Sequence, residues 1–265
     1  MKFSIITVSW NSGATLAPCM ASLAAQTTRD YEWLLIDGGS IDTTLAIAES
    51  FAGPRGAFVS EPDGGIYAAM NKGVALARGE YVFFLNSDDC LLDEQVLADV
   101  GARLASAPAT DLLYGNVIYI HPHTRVLRSF AHIDARTLRF EDLCHQAVFA
   151  RRSLFTKVGP FNERFRTNAD YDWLLRVFAS GAHTLWFDRT LAEFRTGGAH
   201  VRNLDAAIAE RRDVRLQYMG SAALAWGELC RRIGHRSHRL LHGHRPGQQD
   251  LGATPPAGLG GGSSP

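Results

Sequence analysis

The apolar residues of this chain fall into two rhythms. Residues 3–9 (FSIITVS) form a nearly continuous apolar run rich in β-branched side chains, as in a strand covered on both faces. Asn11-Ser12-Gly13 ends that run, and a helix is expected over 14–25. A second strand over 33–36 closes at Asp37-Gly38-Gly39-Ser40, followed by a helix over 43–51 and a third strand over 57–60. Ile66, Met70, Val74 and Ala77 then recur at helical spacing on one face, and residues 81–85 (YVFFL) make a fourth, wholly apolar strand. Strand alternating with helix predicts βαβ units and a parallel sheet. Right-handed crossovers place the loops that follow the strands along one sheet edge.

Beyond residue 110 the pattern changes. Strands are expected over 112–120 and 126–130, as a hairpin turned at His121-Pro122-His123. A helix follows over 170–180, strand-like runs at 183–187 and 191–194, and a helix over 204–218. After Gly243 the chain is mostly Gly, Pro, Ser and Gln, which gives too little apolar surface to fold, so 244–265 is expected to be a disordered tail.

Composition narrows the function classes. Lys plus Arg and Asp plus Glu both number 27, so no net charge draws the chain to nucleic acid. The four cysteines are widely spaced without a Cys-x-x-Cys pair, and the chain opens directly on a strand rather than a secretory leader, which points to a reducing, cytoplasmic setting. No apolar run reaches the ~20 residues that span a bilayer. Residues 231–245 hold five arginines, four histidines and no acid, with Ile233, Leu240 and Leu241 among them. This segment is either a solvated basic helix end or a contact with an anionic membrane surface, where each basic residue contributes ~1 kcal/mol.

Three predicted strand-end loops carry polar chemistry: 7–11 (TVSWN), 37–40 (DGGS) and 86–89 (NSDD). Ligands of open parallel sheets bind outside that edge. Asp88 and Asp89 are adjacent carboxylates that repel each other unless something stabilises both. A hard cation, Mg²⁺ or Mn²⁺, that also takes phosphate oxygens would do so. The other reading is that Ser87-Asp88-Asp89 caps a helix over 93–104.

Six blocks in order settle the family resemblance: SIITVSWN (4–11), LLIDGGSIDTT (34–44), SEPDGGIYAAMNKGVALARGEYVFFLNSDD (60–89), HQAVFARRSLF (145–155), NADYDWLLR (168–176) and FRTGGAH (194–200). Together they resemble a family 2 glycosyltransferase of the GT-A fold, of the subset that builds bacterial exopolysaccharide, capsule or lipopolysaccharide. The resemblance implies a mainly parallel α/β sheet flanked by helices. It also implies a nucleotide-diphosphate sugar donor, a glycan or lipid-linked acceptor, and transfer with inversion at the inner face of a membrane. It divides 1–220 into a donor half (1–110) and an acceptor half (111–220), followed by a basic helical segment (221–243).

Residue by residue, the resemblance sets Thr7, Asn11 and Asp37 at the nucleotide, Asp88 at the ribose and Asp89 on the metal. Asp63, Asn71 and Lys72 fall in the donor block, with Lys72 either on a phosphate or capping its helix. Asn86 stands where the family's Asp-x-Asp begins with an acid, and Ala68 stands where an acid often follows Tyr67. Asp170 is implied as catalytic base, although Ala169 replaces the glutamate of the usual Glu-Asp pair. Asp170 also suits the first turn of a helix on dipole grounds, and Asp172 is the reserve candidate. His145 is either an acceptor-side residue or an ordinary packed histidine. Gly197, Gly198 and His200 belong to a loop that closes over the diphosphate, or to a plain turn. The five tryptophans are mostly expected in the core.

Other enzymes with parallel sheets fit less well. A nicotinamide dehydrogenase needs Gly-x-Gly-x-x-Gly after the first strand, and Trp10-Asn11-Ser12-Gly13 is not that. A sugar nucleotidyltransferase needs a Gly-rich, Arg-bearing phosphate loop there. A non-catalytic, nucleotide-binding scaffold remains the alternative, given Asn86 and Ala169.

Overall fold

The computed structural model describes residues 1–51, 56–197, 204–226, 229 and 247–252. Its first half follows the strand–helix alternation: β1 (Phe3–Ser9), α1 (Leu16–Ala24), β2 (Tyr31–Asp37), α2 (Thr44–Phe51), β3 (Gly56–Ser60), α3 (Ile66–Leu76) and β4 (Tyr81–Phe84). β1 lies between β2 and β4 and β2 pairs β3, all in parallel. Every residue of β1, β2 and β4 is buried, the expected consequence of covering a parallel sheet on both faces.

Side-chain alternation sorts these strands between two cores. Phe3 and Ile5 join Trp33, Leu35 and Phe83 beneath α1 and α4 (Val96–Ser106). Ile6 and Val8 join Leu34, Ile36 and Phe84 beneath α3 and α6 (Ala169–Ala179). α3 lies so close to β1 that a Cβ on Gly73 would sit 2.5 Å from Ile6 Cγ2. That approach fixes the start of α3 over the end of the sheet.

The parallel order stops at β4. β8 (Val148–Arg151) pairs β4 antiparallel, and β6 (Leu112–Ile120) pairs β8 antiparallel. β6 turns into β7 (Arg125–Arg128) as the expected hairpin. The two expected strand runs before the last helix form one strand, β9 (Thr184–Arg195). It runs parallel to β6 with register shifts near Asn116, and it also pairs the short β5 (Cys90–Leu91). α5 (Leu154–Lys157) follows β8, and α7 (Leu204–Tyr218) matches its expected bounds.

Two expectations change here. Part of the 244–265 stretch is ordered, because β10 (Gln248–Asp250) pairs β7 antiparallel, closing an edge that would otherwise expose unpaired amides. The cap reading of Ser87-Asp88-Asp89 also fails, since α4 begins at Val96 with Gln95 as its N-cap. Among the described residues no helix is long and apolar enough to cross a membrane. The basic segment 231–245 lies outside the described residues.

Candidate active site

The ends of β1, β2 and β4, the start of α3, the turn before β8, the start of α6, the end of β9 and α7 converge on one open cleft of 2140 Å³. Small-molecule pockets usually occupy ~300–1,000 Å³, so this cleft has room for two substrates side by side.

On the donor side, Asn11, Gly38, Asp63 and Asp88 line the cleft. Asn11 adopts the left-handed region at φ 50°. Its amide N–H donates to Ser40 Oγ (2.7 Å) and its Oδ1 accepts from the Ile41 N–H (3.0 Å), tying the first strand-end loop to the second. Asp63 Oδ1 accepts from the Gly65 N–H at 2.8 Å and holds the turn into α3.

Asp37 is 1% exposed and lies under this wall rather than in it. Its carboxylate accepts from the hydroxyls of Ser9 (2.9 Å), Ser40 (2.5 Å) and Ser60 (2.7 Å) and from the Gly39 and Ser40 amides. Burial pushes its pKa up, but the Ser40, Ser60 and Ser9 hydrogen bonds outweigh that and hold it below the usual carboxylate range. Asp37 therefore shapes the loops over which a nucleotide would lie.

Three donor-side expectations are corrected. Thr7 is fully buried and its Oγ1 accepts from the Trp33 indole at 3.1 Å, within the core. Asn71 is committed to the loop at 161–163: its Nδ2 donates to Phe161 O (3.0 Å) and Glu163 Oε1 (2.8 Å), and its Oδ1 accepts from the Phe161 N–H (2.9 Å). Lys72 pairs with Glu61 at 2.6 Å, and neither Lys72 nor Asn71 lines the cleft. Asn71, four residues after Tyr67, lies on the same face of α3 but a turn further along, over the loop at 161–163, whereas Lys72 lies on another face.

The adjacent carboxylates divide their roles differently from the expectation. Asp89 is fully buried. Its Oδ2 accepts from Gln146 Nε2 (2.8 Å) and its Oδ1 from the Arg195 N–H (3.0 Å), so it joins β4, the turn before β8 and β9. Burial and the neighbouring Asp88 charge push its pKa up to about 7. The repulsion between the two acids is thus relieved by turning one inward, where it binds a proton readily. Asp88 lines the cleft and is the one able to face a cation there. Asn86, also lining the cleft, has a buried Oδ1 without a hydrogen-bond partner. Among the described residues no three acids, histidines or cysteines cluster to hold a metal by themselves. The donor set fits a hard cation whose coordination is completed by phosphate oxygens.

Across the cleft, Asp170 opens α6, where its charge suits the helix N-terminus. Tyr67 Oη donates to Asp170 Oδ1 at 2.7 Å, and His145 Nδ1 lies 3.0 Å from Asp170 Oδ2. Burial pushes the Asp170 pKa up, but His145 and Tyr67 more than offset it and hold it below the usual range. Asp172, the reserve candidate, faces away. It is 3% exposed, pairs with Arg176 at 3.0 Å and accepts from Tyr218 Oη at 2.8 Å.

α7 braces this wall. Glu210 accepts from the Arg166 and Thr167 amides (2.6 and 2.8 Å), and Arg211 Nε donates to Asn168 Oδ1 at 2.8 Å. Gly197 lines the cleft at φ 117°, open-sided, whereas Gly198 and His200 lie outside the described residues.

Sequence reasoning passed over several wall residues. Trp10 is 66% exposed at the cleft, contrary to the expected core placement, although its position in a strand-end loop was the available signal. Trp173, by contrast, is packed in the core against Phe155. Tyr67, Gln146, Arg166, Arg195, Leu204 and Ile208 enter the site only through the fold.

The sequence profile described as Glycosyl transferase family 2 matches residues 4–158. The chain belongs to that family. A PGL/p-HBAD biosynthesis glycosyltransferase of Mycobacterium bovis and Mycobacterium tuberculosis is 43% identical over 184 residues, covering 68% of this chain and 71% of the relative. Solved structures agree on the fold. Staphylococcus aureus TarS 1–349 in complex with UDP-GlcNAc has a TM-score of 0.64 at 20% identity, over 76% of this chain and 61% of that one. The mannosyltransferase PcManGT of Pyrobaculum calidifontis, in complex with GDP-Man and Mn²⁺, has a TM-score of 0.59 at 18% identity, over 80% and 60%. This glycosyltransferase thus spans about three fifths of either solved chain, and its GT-A core is the shared part.

Proposed function

We propose that this family 2 glycosyltransferase moves a sugar from a nucleoside-diphosphate donor to a hydroxyl of a glycan or lipid-linked acceptor, with inversion, and that Asp170 is the general base. The observation that carries the reading is the division of carboxylates in one cleft: Asp88 on the strand-end wall and Asp170 on the helix-start wall. An ionised Asp170, with lone pairs beyond those bonded to Tyr67 and His145, is suited to take the acceptor hydroxyl proton as that oxygen attacks the anomeric carbon. Trp10 offers an exposed ring for the nucleotide base, above loops organised by Asp37. Asp88 would hold Mg²⁺ or Mn²⁺ with the diphosphate, and the cation would offset charge growing on the leaving group. Arg195 and Gly197, which line the cleft at and just after the end of β9, would meet the phosphates through guanidinium and backbone.

The acceptor arm mixes apolar and basic surface. Leu204 and Ile208, each 59% exposed, line it beside Arg166 and Arg212. That pairing suits an amphiphile with an anionic or strongly polar head, used in making a cell-surface glycan or glycolipid. Work at the cytoplasmic face of a membrane, with residues 231–245 resting on it, completes this reading.

The test is a panel of nucleotide sugars, each measured for thermal stabilisation with and without Mn²⁺. One donor should raise the melting temperature more with Mn²⁺ than without, and should then be consumed on addition of acceptor. Stabilisation by no nucleotide sugar, or binding without transfer or hydrolysis, would leave a non-catalytic scaffold as the function.

A further inference from the structure

Four side chains from four different elements form one hydrogen-bonded chain across the floor of the cleft. Tyr67 comes from α3, Asp170 from α6, His145 from the turn before β8 and Asn86 from the end of β4. Tyr67 Oη lies 2.7 Å from Asp170 Oδ1, His145 Nδ1 3.0 Å from Asp170 Oδ2, and Asn86 Nδ2 3.2 Å from His145 Nε2. An ionised carboxylate only accepts, so Nδ1 carries the hydrogen. A neutral ring then presents a lone pair at Nε2, and the Asn86 amide donates to it. This one assignment matches donor to acceptor at each of the three links. An aspartate at position 86 would offer no donor to that lone pair, which gives the departure from Asp-x-Asp a physical reason.

Resting on the assignment of Asp170 as base, we infer that Tyr67 and His145 are positioning residues that lock the orientation of its carboxylate, and that Asn86 orients His145 so that the donor loop and the base move as one unit. The surroundings make such a lock necessary. Behind Asp170 and His145 the wall is apolar, formed by Val82, Phe84, Phe155, Phe161, Trp173 and Leu174. An acid against that wall is driven toward protonation unless hydrogen bonds favour its charge. With the Tyr171 amide also donating to the carboxylate, these bonds limit the directions from which an acceptor hydroxyl can approach.

Of the groups around Asp170, Asp89, held by Gln146 next to His145, is pushed up to about 7 by burial and by Asp88, whereas the others titrate outside the working range. Tyr67 is driven well above the usual tyrosine range by burial and the Asp170 charge. Cys144, beside His145, is pushed up to about 12 by burial, and Tyr171 is raised mainly by burial. From α7, Arg211 keeps its charge beside Asp142 and Asp170, and Glu210 is held ionised by Thr167, Arg166 and Asn168 against the pull of burial. The part of the acid limb that moves in Y67F, a change that does not touch Asp89, therefore reports on Asp170.

The experiment measures kcat, donor KM and the rate–pH profile for wild type, H145A, H145N, H145Q, Y67F and D170N, with nucleotide binding as the check on folding. H145A should lose about 10–100-fold in kcat with donor KM nearly unchanged, and its acid limb should move to higher pH. Asparagine places an amide donor near the position of Nδ1, whereas glutamine places it near Nε2, so H145N should recover more activity than H145Q. A packing role predicts the opposite order, because glutamine fills more of the space. Y67F should lower kcat less than H145A and move the acid limb the same way. Unchanged kcat and acid limb in H145A and Y67F, with D170N inactive, would overturn the positioning role while leaving the base in place. An active D170N would overturn the base itself. If H145A does not fold, the order of H145N and H145Q and the Y67F profile decide the matter.

Discussion

The two walls of the cleft are built in different ways. The donor wall comes from consecutive βαβ units, so Asn11, Gly38, Asp63 and Asp88 reach it through local chain reversals at strand ends. The acceptor wall comes from elements distant in sequence: the turn before β8, the start of α6, the end of β9 and one face of α7. Local rules thus build the wall proposed for the nucleotide, while the groups proposed to react are set by long-range contacts such as Tyr67 to Asp170 and Gln146 to Asp89. The difference teaches that substitutions on the two walls should separate cleanly, donor binding on one and chemistry or acceptor binding on the other.

The sharpest test of the donor wall sets Asp88 against Asp89. Asp88→Asn should weaken Mn²⁺-dependent nucleotide binding and lower transfer by about 100-fold, a loss on the scale of a removed electrostatic contact to the leaving group. Asp89→Asn should leave nucleotide affinity within a few-fold of wild type. Calorimetry with a nucleoside diphosphate and Mn²⁺ distinguishes the two, and the reverse ranking would return Asp89 to the cleft.

The next effect is on stability. Gly73→Val places atoms inside contact distance of Ile6, so overpacking should cost about 1–3 kcal/mol. The melting temperature should fall by several degrees. Because α3 carries Tyr67, any surviving enzyme should lose kcat before donor affinity. A melting temperature unchanged by valine would mean that α3 sits further from β1.

A smaller effect follows from the proton affinity of Asp89. A carboxyl whose pKa is about 7 when folded, against the ordinary 3.8, keeps its proton while the unfolded chain loses it. Its contribution to stability is therefore full below pH 4, declines between pH 4 and 7, and is level above. The slope is at most ~1.4 kcal/mol per pH unit. Melting curves of wild type and Asp89→Asn across that window should converge at low pH and diverge in favour of the variant as pH rises. Parallel curves would contradict the raised value.

The smallest expected effect concerns the acceptor arm. Replacing Leu204 and Ile208 by serine removes exposed apolar surface, which is worth on the order of 1 kcal/mol against a lipid or aromatic acceptor. Acceptor KM should rise several-fold with donor KM unchanged. No change in acceptor KM would show that the acceptor lies elsewhere.

The sequence made the donor half legible for a physical reason. FSIITVS and YVFFL are buried on both faces, and helical spacing from Ile66 onward marked α3 correctly. The helix start that carries Asp170 is legible too. Side-chain direction was not. Nothing local told Asp88, which faces the cleft, from Asp89, which is fixed inward by Gln146 and the Arg195 amide from residues 57 and 106 positions away. Asn71 and Lys72 carried the right motif but point to the loop at 161–163 and to Glu61. The single long β9 was read as two strands because Asp188, Arg189 and Thr190 interrupt its apolar pattern where the register with β6 shifts near Asn116. β10 was missed because a three-residue strand of Gln, Gln and Asp has no apolar alternation.

On the proposed mechanism one ionised carboxylate, Asp170, serves a single in-line displacement. The anomeric configuration of the product tests it most directly. Proton NMR of the first turnovers, read at the anomeric coupling constant, should show a configuration opposite to that of the donor sugar. A product with the donor's own configuration cannot come from a single in-line displacement, and would contradict the assignment of Asp170 as a base acting on the acceptor hydroxyl.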